Sequence, residues 1–233
     1  MGGLYYKSAK NNNRAGDSMS YFPMFIDLKD MNCLIVGGGK VALRKVRVLL
    51  DFGAVIKVIG KEICEEIKEI SRTNKNVTYK KKPFSEQDLE GIHLVVAATS
   101  QKELNHTIST ICRQKNIYIN VVDQIEDCSF IFPSYIKEND VVGAFSTGGK
   151  SPVITQYLKE SVKSVLTPFI GELADFLGSI RTSVKENTQT EEERRQIYQE
   201  LLKYALDSEK IPDENNVSTI IELKNKGEDE NNG

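Results

Sequence analysis

The chain has 233 residues, 39% of them hydrophobic, with 31 Lys and Arg against 33 Asp and Glu for a formal net charge of −2. That length accommodates one large domain, or one domain with a smaller partner, around a sizeable core. Nothing in the near-neutral balance asks for a nucleic-acid or anionic-membrane partner, and no apolar run approaches the ~20 residues of a membrane span.

Residues 1–20 lack the apolar run of a secretory signal and read as a disordered extension, with Met19 an alternative start. From Asn32 the chain reads NCLIVGGGKVALRKVRVLL. An apolar strand over 34–36 breaks into three glycines and reopens as a helix over 41–50. Gly37 suits the tight turn out of the strand. After Gly38, Gly39 keeps side chains away from the path of a pyrophosphate, and Ala42 fills the third small position of G-x-G-x-x-A. Free N–H groups at the helix start face such phosphates. A dinucleotide site is the expected use; a plain structural turn is the alternative.

Gly53 stands where a helix C-terminal glycine belongs. Residues 55–59 form a second strand, 63–71 a helix, and 77–81 an edge-like strand closed by Pro83. The continuous apolar run 94–98 reads as a strand buried on both faces. A helix over 101–115 and a strand over 117–122 follow. Strands alternating with helices at this pitch predict an α/β fold with a Rossmann-type doubly wound parallel sheet.

After Asp123 the pattern changes. Residues 130–132 and 141–146 read as strands joined by a turn near Glu138-Asn139-Asp140, a small β region. Ser151 with Pro152 then caps a helix with a stripe of Ile154, Leu158, Val162 and Val165. A second stripe runs from Phe169 to Val184, and Thr190 with Glu193 opens a third helix as a capping box. From Asp207 the chain is polar and acidic and reads as mobile, apart from the apolar group Ile220, Ile221 and Leu223. The expected division is 1–20 extension, 21–123 nucleotide-binding domain, 124–150 β region, 151–206 helical domain and 207–233 acidic tail.

Four cysteines show no C-x-x-C spacing and only two histidines occur, His93 and His106. No metal centre is expected, and a reducing cytoplasm is the natural location.

In an open α/β sheet, ligands bind beyond the carboxyl ends of the strands. Gly37, Gly38 and Gly39, then Thr99, then Asn120 with Asp123, fall at such ends. Asp123 is either a loop carboxylate or a general base, or metal-facing acid, beside a nicotinamide. The segment Ser146-Thr147-Gly148-Gly149-Lys150-Ser151 leads into a helix start and suits an anion such as a carboxylate; a turn capped by Ser151 is the alternative. Lys61 and Glu62 follow the second strand, where an acid grips the ribose of NAD and a cation meets the 2′-phosphate of NADP. NAD is the preferred cofactor.

VGGGKVALRK, LVVAAT, NVVD followed by SFIFPS, and STGGKSP occur in that order with compatible spacing. Together they resemble the precorrin-2 dehydrogenase family, which includes the N-terminal module of siroheme synthase and relatives that also insert iron. The resemblance covers roughly 21–187. It implies NAD-dependent oxidation of precorrin-2 to sirohydrochlorin, toward siroheme or cobalamin, with Fe2+ or Co2+ as a further substrate of a chelatase step. It also implies a homodimer held by the region after the Rossmann domain, with active sites between the domains. The family's catalytic aspartate maps onto Asp123. Its hydroxyl-glycine segment maps onto Ser146, Thr147, Gly148 and Gly149, and its cofactor contacts onto Lys40, Val41, Lys61 and Glu62. Thr147 replaces the serine of some relatives. Arg44, Lys45, Lys150 and the helix start at Ser151 are the expected anchors for substrate carboxylates. At this length the methyltransferase module of long siroheme synthases is not expected. The competing reading is an NAD-sensing regulatory module without chemistry.

Overall fold

The computed structural model describes residues 21–229; the expected extension 1–20 and the last four residues lie outside the described residues. The chain divides into two compact units, one ending at Phe132 and the other beginning at Pro133.

In the first unit β1 (Asn32–Val36), β2 (Val55–Gly60), β3 (Val77–Lys81), β4 (Leu94–Ala97) and β5 (Tyr118–Val121) form one sheet in the order β3-β2-β1-β4-β5. Every pairing is parallel. The connecting helices are α1 (Lys40–Asp51), α2 (Glu65–Thr73) and α3 (Lys102–Gln114). Side chains alternate across a strand, so β1 feeds two cores at once. Cys33 and Ile35 join Val46, Leu49, Ile56 and Ile67 on the α1 and α2 side. Leu34 and Val36 join Val95, Ile108, Cys112 and Ile119 on the α3 side. A strand with apolar residues on both faces is stable only with both faces covered, which is why 34–36 carries no polar residue. Strand 77–81 is the edge strand, as expected.

One buried acid braces this sheet. Asp88, only 5% exposed, pairs with Lys57 of β2 at 3.1 Å and with Lys82 at 2.7 Å. It also accepts from the Ser85 amide at 3.1 Å. Burial alone would raise its pKa, but the two lysines and Ser85 outweigh it and hold the carboxyl down to about 2. A carboxyl held low stabilises the fold above its ordinary pKa, and that contribution disappears as pH falls through the folded value. The shift is worth about 2 kcal/mol, present above about pH 4 and lost toward pH 2. Asp88→Ala is therefore expected to lower stability at pH 7 by about 2–3 kcal/mol, since it also strands two lysines. The gap to the parent should narrow between pH 4 and pH 2 in urea titrations; a constant gap would contradict this assignment.

The expected strand at 130–132 does not form. Phe130 and Phe132 instead pack against the α1-side core, their rings 5.2 Å apart, with Tyr118 edge-on to Phe130 at 6.5 Å. Residues 124–132 therefore belong to the first unit, and the boundary falls after Phe132 rather than after Asp123.

The second unit opens with a hairpin of β6 (Ser134–Glu138) and β7 (Val141–Phe145), turning at Asn139 with φ 50°. Then come α4 (Pro152–Val162), α5 (Pro168–Ser179), α6 (Arg181–Glu186), α7 (Glu191–Ser208) and α8 (Glu214–Asp229). The stripe from Phe169 to Val184 is split into α5 and α6 at Ile180. Thr190 caps α7, accepting from the Glu193 amide at 3.2 Å. A mobile tail from Asp207 is corrected over α8. Val217 and Ile221 share a buried cluster with Val184, Ile197 and Leu201, and Ile220 packs against it. The i, i+3, i+4 spacing of those three outweighs the acidic composition around them. Among the described residues no helix is long and apolar enough to cross a membrane.

Candidate active site

The glycine turn is built by packing on both sides. Gly37 has φ 121°, donates its N–H to the Ile59 carbonyl at 2.7 Å, and would place a Cβ 2.3 Å from the Ala98 carbonyl. A Cβ on Gly38 would stand 2.1 Å from the Glu62 carbonyl, and the Gly38 carbonyl accepts from the Cys64 amide at 2.8 Å. The turn is thus pressed between the ends of β2 and β4, and neither position admits a side chain.

Gly39 differs. Its φ of −90° suits any residue, and a Cβ there would meet nothing within 4 Å. The protein does not need glycine at this position for its own packing. It is also the N-cap of α1, with no side-chain cap and no acid in the first turn. Amides at a helix start lacking intrahelical partners, with a positive dipole end and open space before them, suit a pyrophosphate. Lys40 is exposed and Val41 half-buried in that first turn. Lys61 and Glu62 follow β2 immediately, both exposed, with Glu62 3.7 Å from Lys81. The first unit thus brings Gly37, Gly38, Gly39, Lys40, Val41, Lys61 and Glu62 to neighbouring strand ends.

Thr99 follows β4, but its hydroxyl is engaged. It donates to Asn105 Oδ1 at 2.6 Å and accepts from the Gln101 amide at 3.1 Å. Asn105, 2% exposed, returns its Nδ2 to the Thr99 carbonyl at 3.1 Å. This side chain locks the β4 end in place beside Gly37. Asn120 is likewise committed to the fold: it is 8% exposed, and its Nδ2 donates to the Phe130 carbonyl at 3.1 Å. That bond braces residue 130 against β5, and a contact of Asn120 with substrate, as its place at the ligand end of β5 suggests, stays a proposal.

Asp123 lies two residues beyond β5 in a left-handed conformation, φ 60°, with its side chain exposed. Among the described residues its carboxylate has no hydrogen-bond or ion-pair partner. Next to it, Gln124 donates its Nε2 to Asp127 at 3.0 Å, while its Oε1 is buried without a partner. A left-handed non-glycine and an orphaned acceptor are both local costs, and costs of that kind gather where geometry serves function rather than stability. Residues 126–128 are tied to α3, where Ser109 Oγ donates to the Asp127 carbonyl at 2.6 Å and Arg113 to the Cys128 carbonyl at 3.0 Å. No sequence pattern marks Gln124, Asn105 or Cys128 as part of this region, because their roles are contacts with backbone elsewhere.

On α1, Lys45 sets its ammonium 3.7 Å over the Phe132 ring. Burial, reinforced by repulsion from Arg44, pushes its pKa down to about 8. It keeps most of its charge at neutral pH, ready for an anion; Arg44 beside it is exposed.

In the second unit, residues 146–151 fold as a tight loop onto α4. Gly148 and Gly149 have φ of 63° and 83°. Ser146 Oγ accepts from the Gly148 amide at 3.0 Å, and Thr147 Oγ1 accepts from the Ser151 amide at 2.9 Å. Ser151 is the N-cap, accepting from the Ile154 amide at 3.3 Å. The hydroxyls shape the loop while retaining further acceptor capacity, and Lys150 projects as an exposed cation.

Residues 24–134 match an NAD(P)-binding family model. The chain is 38% identical over 183 residues to a siroheme synthase of Buchnera aphidicola, covering 78% of this chain and 38% of that protein. It is 39% identical over 184 residues to siroheme synthase 3 of Aeromonas hydrophila, covering 79% and 39%. The chain thus spans about two fifths of the length of the curated relatives it matches. A solved precorrin-2 dehydrogenase shares the fold, with a TM-score of 0.64 at 22% identity over 88% of this chain and 100% of the other. The chain thus carries an NAD(P)-binding domain over residues 24–134, is similar in sequence to the matching part of the siroheme synthases, and shares the fold of a precorrin-2 dehydrogenase.

Proposed function

We propose that the chain oxidises precorrin-2 to sirohydrochlorin, toward siroheme or cobalamin, with NAD as its cofactor. The observation that carries this reading is the pairing of an open, uncapped glycine turn after β1 with an unpartnered carboxylate just beyond β5. β4 alone separates those strands, so their ends stand about 10 Å apart by sheet spacing. That separation suits a dinucleotide whose phosphates sit at Gly39 and whose ring extends toward Asp123.

The residues fit the cofactor: Gly37 and Gly38 shape the turn, Gly39 and the amides of α1 receive the pyrophosphate, and Glu62 takes the ribose hydroxyls. The Thr99 backbone walls the site beside Gly37. NAD, when bound, supplies the hydride acceptor. Removing two hydrogens from the reduced macrocycle then leaves a proton, which the Asp123 carboxylate takes up. In the first unit Lys45 and Arg44 are the cations offered to the carboxylates of the tetrapyrrole; the second unit, taken by itself, has Lys150 and the amides and hydroxyls of residues 146–151, which suit an anionic group.

A homodimer is part of this reading. Among the described residues, Val153, Tyr157 and Val165 of α4 and its C-terminal extension are 77%, 69% and 70% exposed, and α4 buries no side chain within its own unit. An apolar helix face left this open marks an interface. Light scattering should return twice the chain mass of 26.2 kDa; a monomer at micromolar concentration would contradict it.

The reading is tested by giving the purified chain precorrin-2 with NAD or NADP, without air, with and without Fe2+ or Co2+. Sirohydrochlorin absorbance should grow with NAD, and no conversion with either cofactor would overturn the reading. Tight NAD binding with no tetrapyrrole affinity would mark a sensor instead.

A further inference from the structure

The turn that carries Asp123 has no glycine or proline, and its αL residue bears a side chain, so something outside it must hold its shape. The holding group is a thiol. Cys128 Sγ accepts from the Val121 amide at 3.1 Å and lies 3.3 Å from the Val121 carbonyl and 3.4 Å from the Gln124 carbonyl, with its one S–H to share between them. Asn120 Nδ2 approaches the same sulfur at 3.6 Å. One atom thus touches both sides of Asp123: the last residue of β5 and the residue after the acid.

The sulfur is itself fixed. Cys128 is 7% exposed, its carbonyl is held by Arg113, and the preceding carbonyl by Ser109, both from the rigid α3. Burial pushes the thiol pKa up, so it keeps the proton it donates. A buried, protonated thiol is a poor nucleophile, which leaves geometry as its use.

We propose that Cys128 is a positioning residue for the oxidation, its thiol bridging Val121 and Gln124 so that the turn between them aims Asp123. This rests on the reading of Asp123 as the proton acceptor. Individual S–H bonds are weak, so the contribution to folding is small. Catalysis is more sensitive, because a displacement of about 1 Å at a reacting group can lower a rate by about 10²-fold.

Cys128→Val keeps an apolar side chain there, one methyl larger, and removes the bridge; Cys128→Ser supplies a hydroxyl that can remake it. We expect Cys128→Val to lower kcat by about 20- to 100-fold with NAD affinity changed less than about twofold, and Cys128→Ser to recover to within about fivefold of the parent. Where valine's second methyl does not fit, Cys128→Ala carries the same expectation. In an Asp123→Asn background, removing the thiol should change the residual rate by less than about twofold, since it acts through that carboxylate. Unchanged kcat in the valine or alanine variant, equal losses in both backgrounds, or a parallel loss of NAD binding would each overturn the proposal. Full activity of Asp123→Asn itself would instead overturn the underlying reading of the site, so the two failures are distinguishable.

Discussion

Asp123→Asn is expected to lower kcat for precorrin-2 oxidation by about 10²- to 10⁴-fold, the usual contribution of a positioned general base. The substitution is nearly isosteric. Among the described residues it breaks no hydrogen bond or ion pair, because the carboxylate has none. Asparagine also tolerates the left-handed conformation at φ 60°, so the turn should keep its shape. NAD affinity should change by less than about threefold, since the cofactor's phosphates are held at the other strand end. Single-turnover kinetics beside equilibrium NAD titration separate these effects. A variant that retains a rate within about fivefold of the parent would remove Asp123 from the mechanism.

The second large effect concerns the glycine turn, where three neighbours are glycine for different reasons. Gly37→Ala forces a side chain into a φ of 121° and a backbone carbonyl 2.3 Å away. It should destabilise the first unit by about 2 kcal/mol or more and reduce NAD binding through the damaged fold. At Gly39 an added Cβ would meet nothing within 4 Å, and the φ of −90° is allowed for valine. The melting temperature of Gly39→Val should stay within about 2 °C of the parent, in line with substitutions that disturb no packing. Yet NAD affinity should fall by about tenfold or more, because the branched side chain occupies the path of the pyrophosphate. Calorimetry and NAD titration on both variants give the comparison. Unchanged NAD affinity in Gly39→Val would mean that the open space before α1 is not the phosphate site.

Much of this was legible in the residues themselves. The apolar runs 34–36 and 94–98, buried on both faces, and the glycine turn between strand and helix announced a parallel sheet and its ligand end. The strand 77–81, closed by Pro83, read as an edge and is one. Asp123 stood out because an acid closing an apolar strand needs a reason to be there. What stayed hidden depends on partners distant in sequence. Phe130 and Phe132 have strand propensity, but their rings serve the α1-side core, and no period within three residues distinguishes the two uses. Asn120 and Thr99 sit at the ligand end of the sheet, as expected, and the bonds their side chains make to Phe130 and Asn105 could not be read from the sequence. Composition hid α8, whose few apolar residues matter only because Ile197 and Leu201 wait opposite them. The α4 stripe was visible by its period, which does not say what the stripe faces.

In the proposed reaction a hydride passes from a tetrapyrrole to a nicotinamide and a proton to the Asp123 carboxylate. The most direct test mixes the purified chain with precorrin-2 and NAD under anaerobic conditions and follows NADH and sirohydrochlorin together. The two should rise in step, one NADH for each sirohydrochlorin, and both should be suppressed in Asp123→Asn. Sirohydrochlorin forming without NADH, or neither forming while NAD binds, would contradict it.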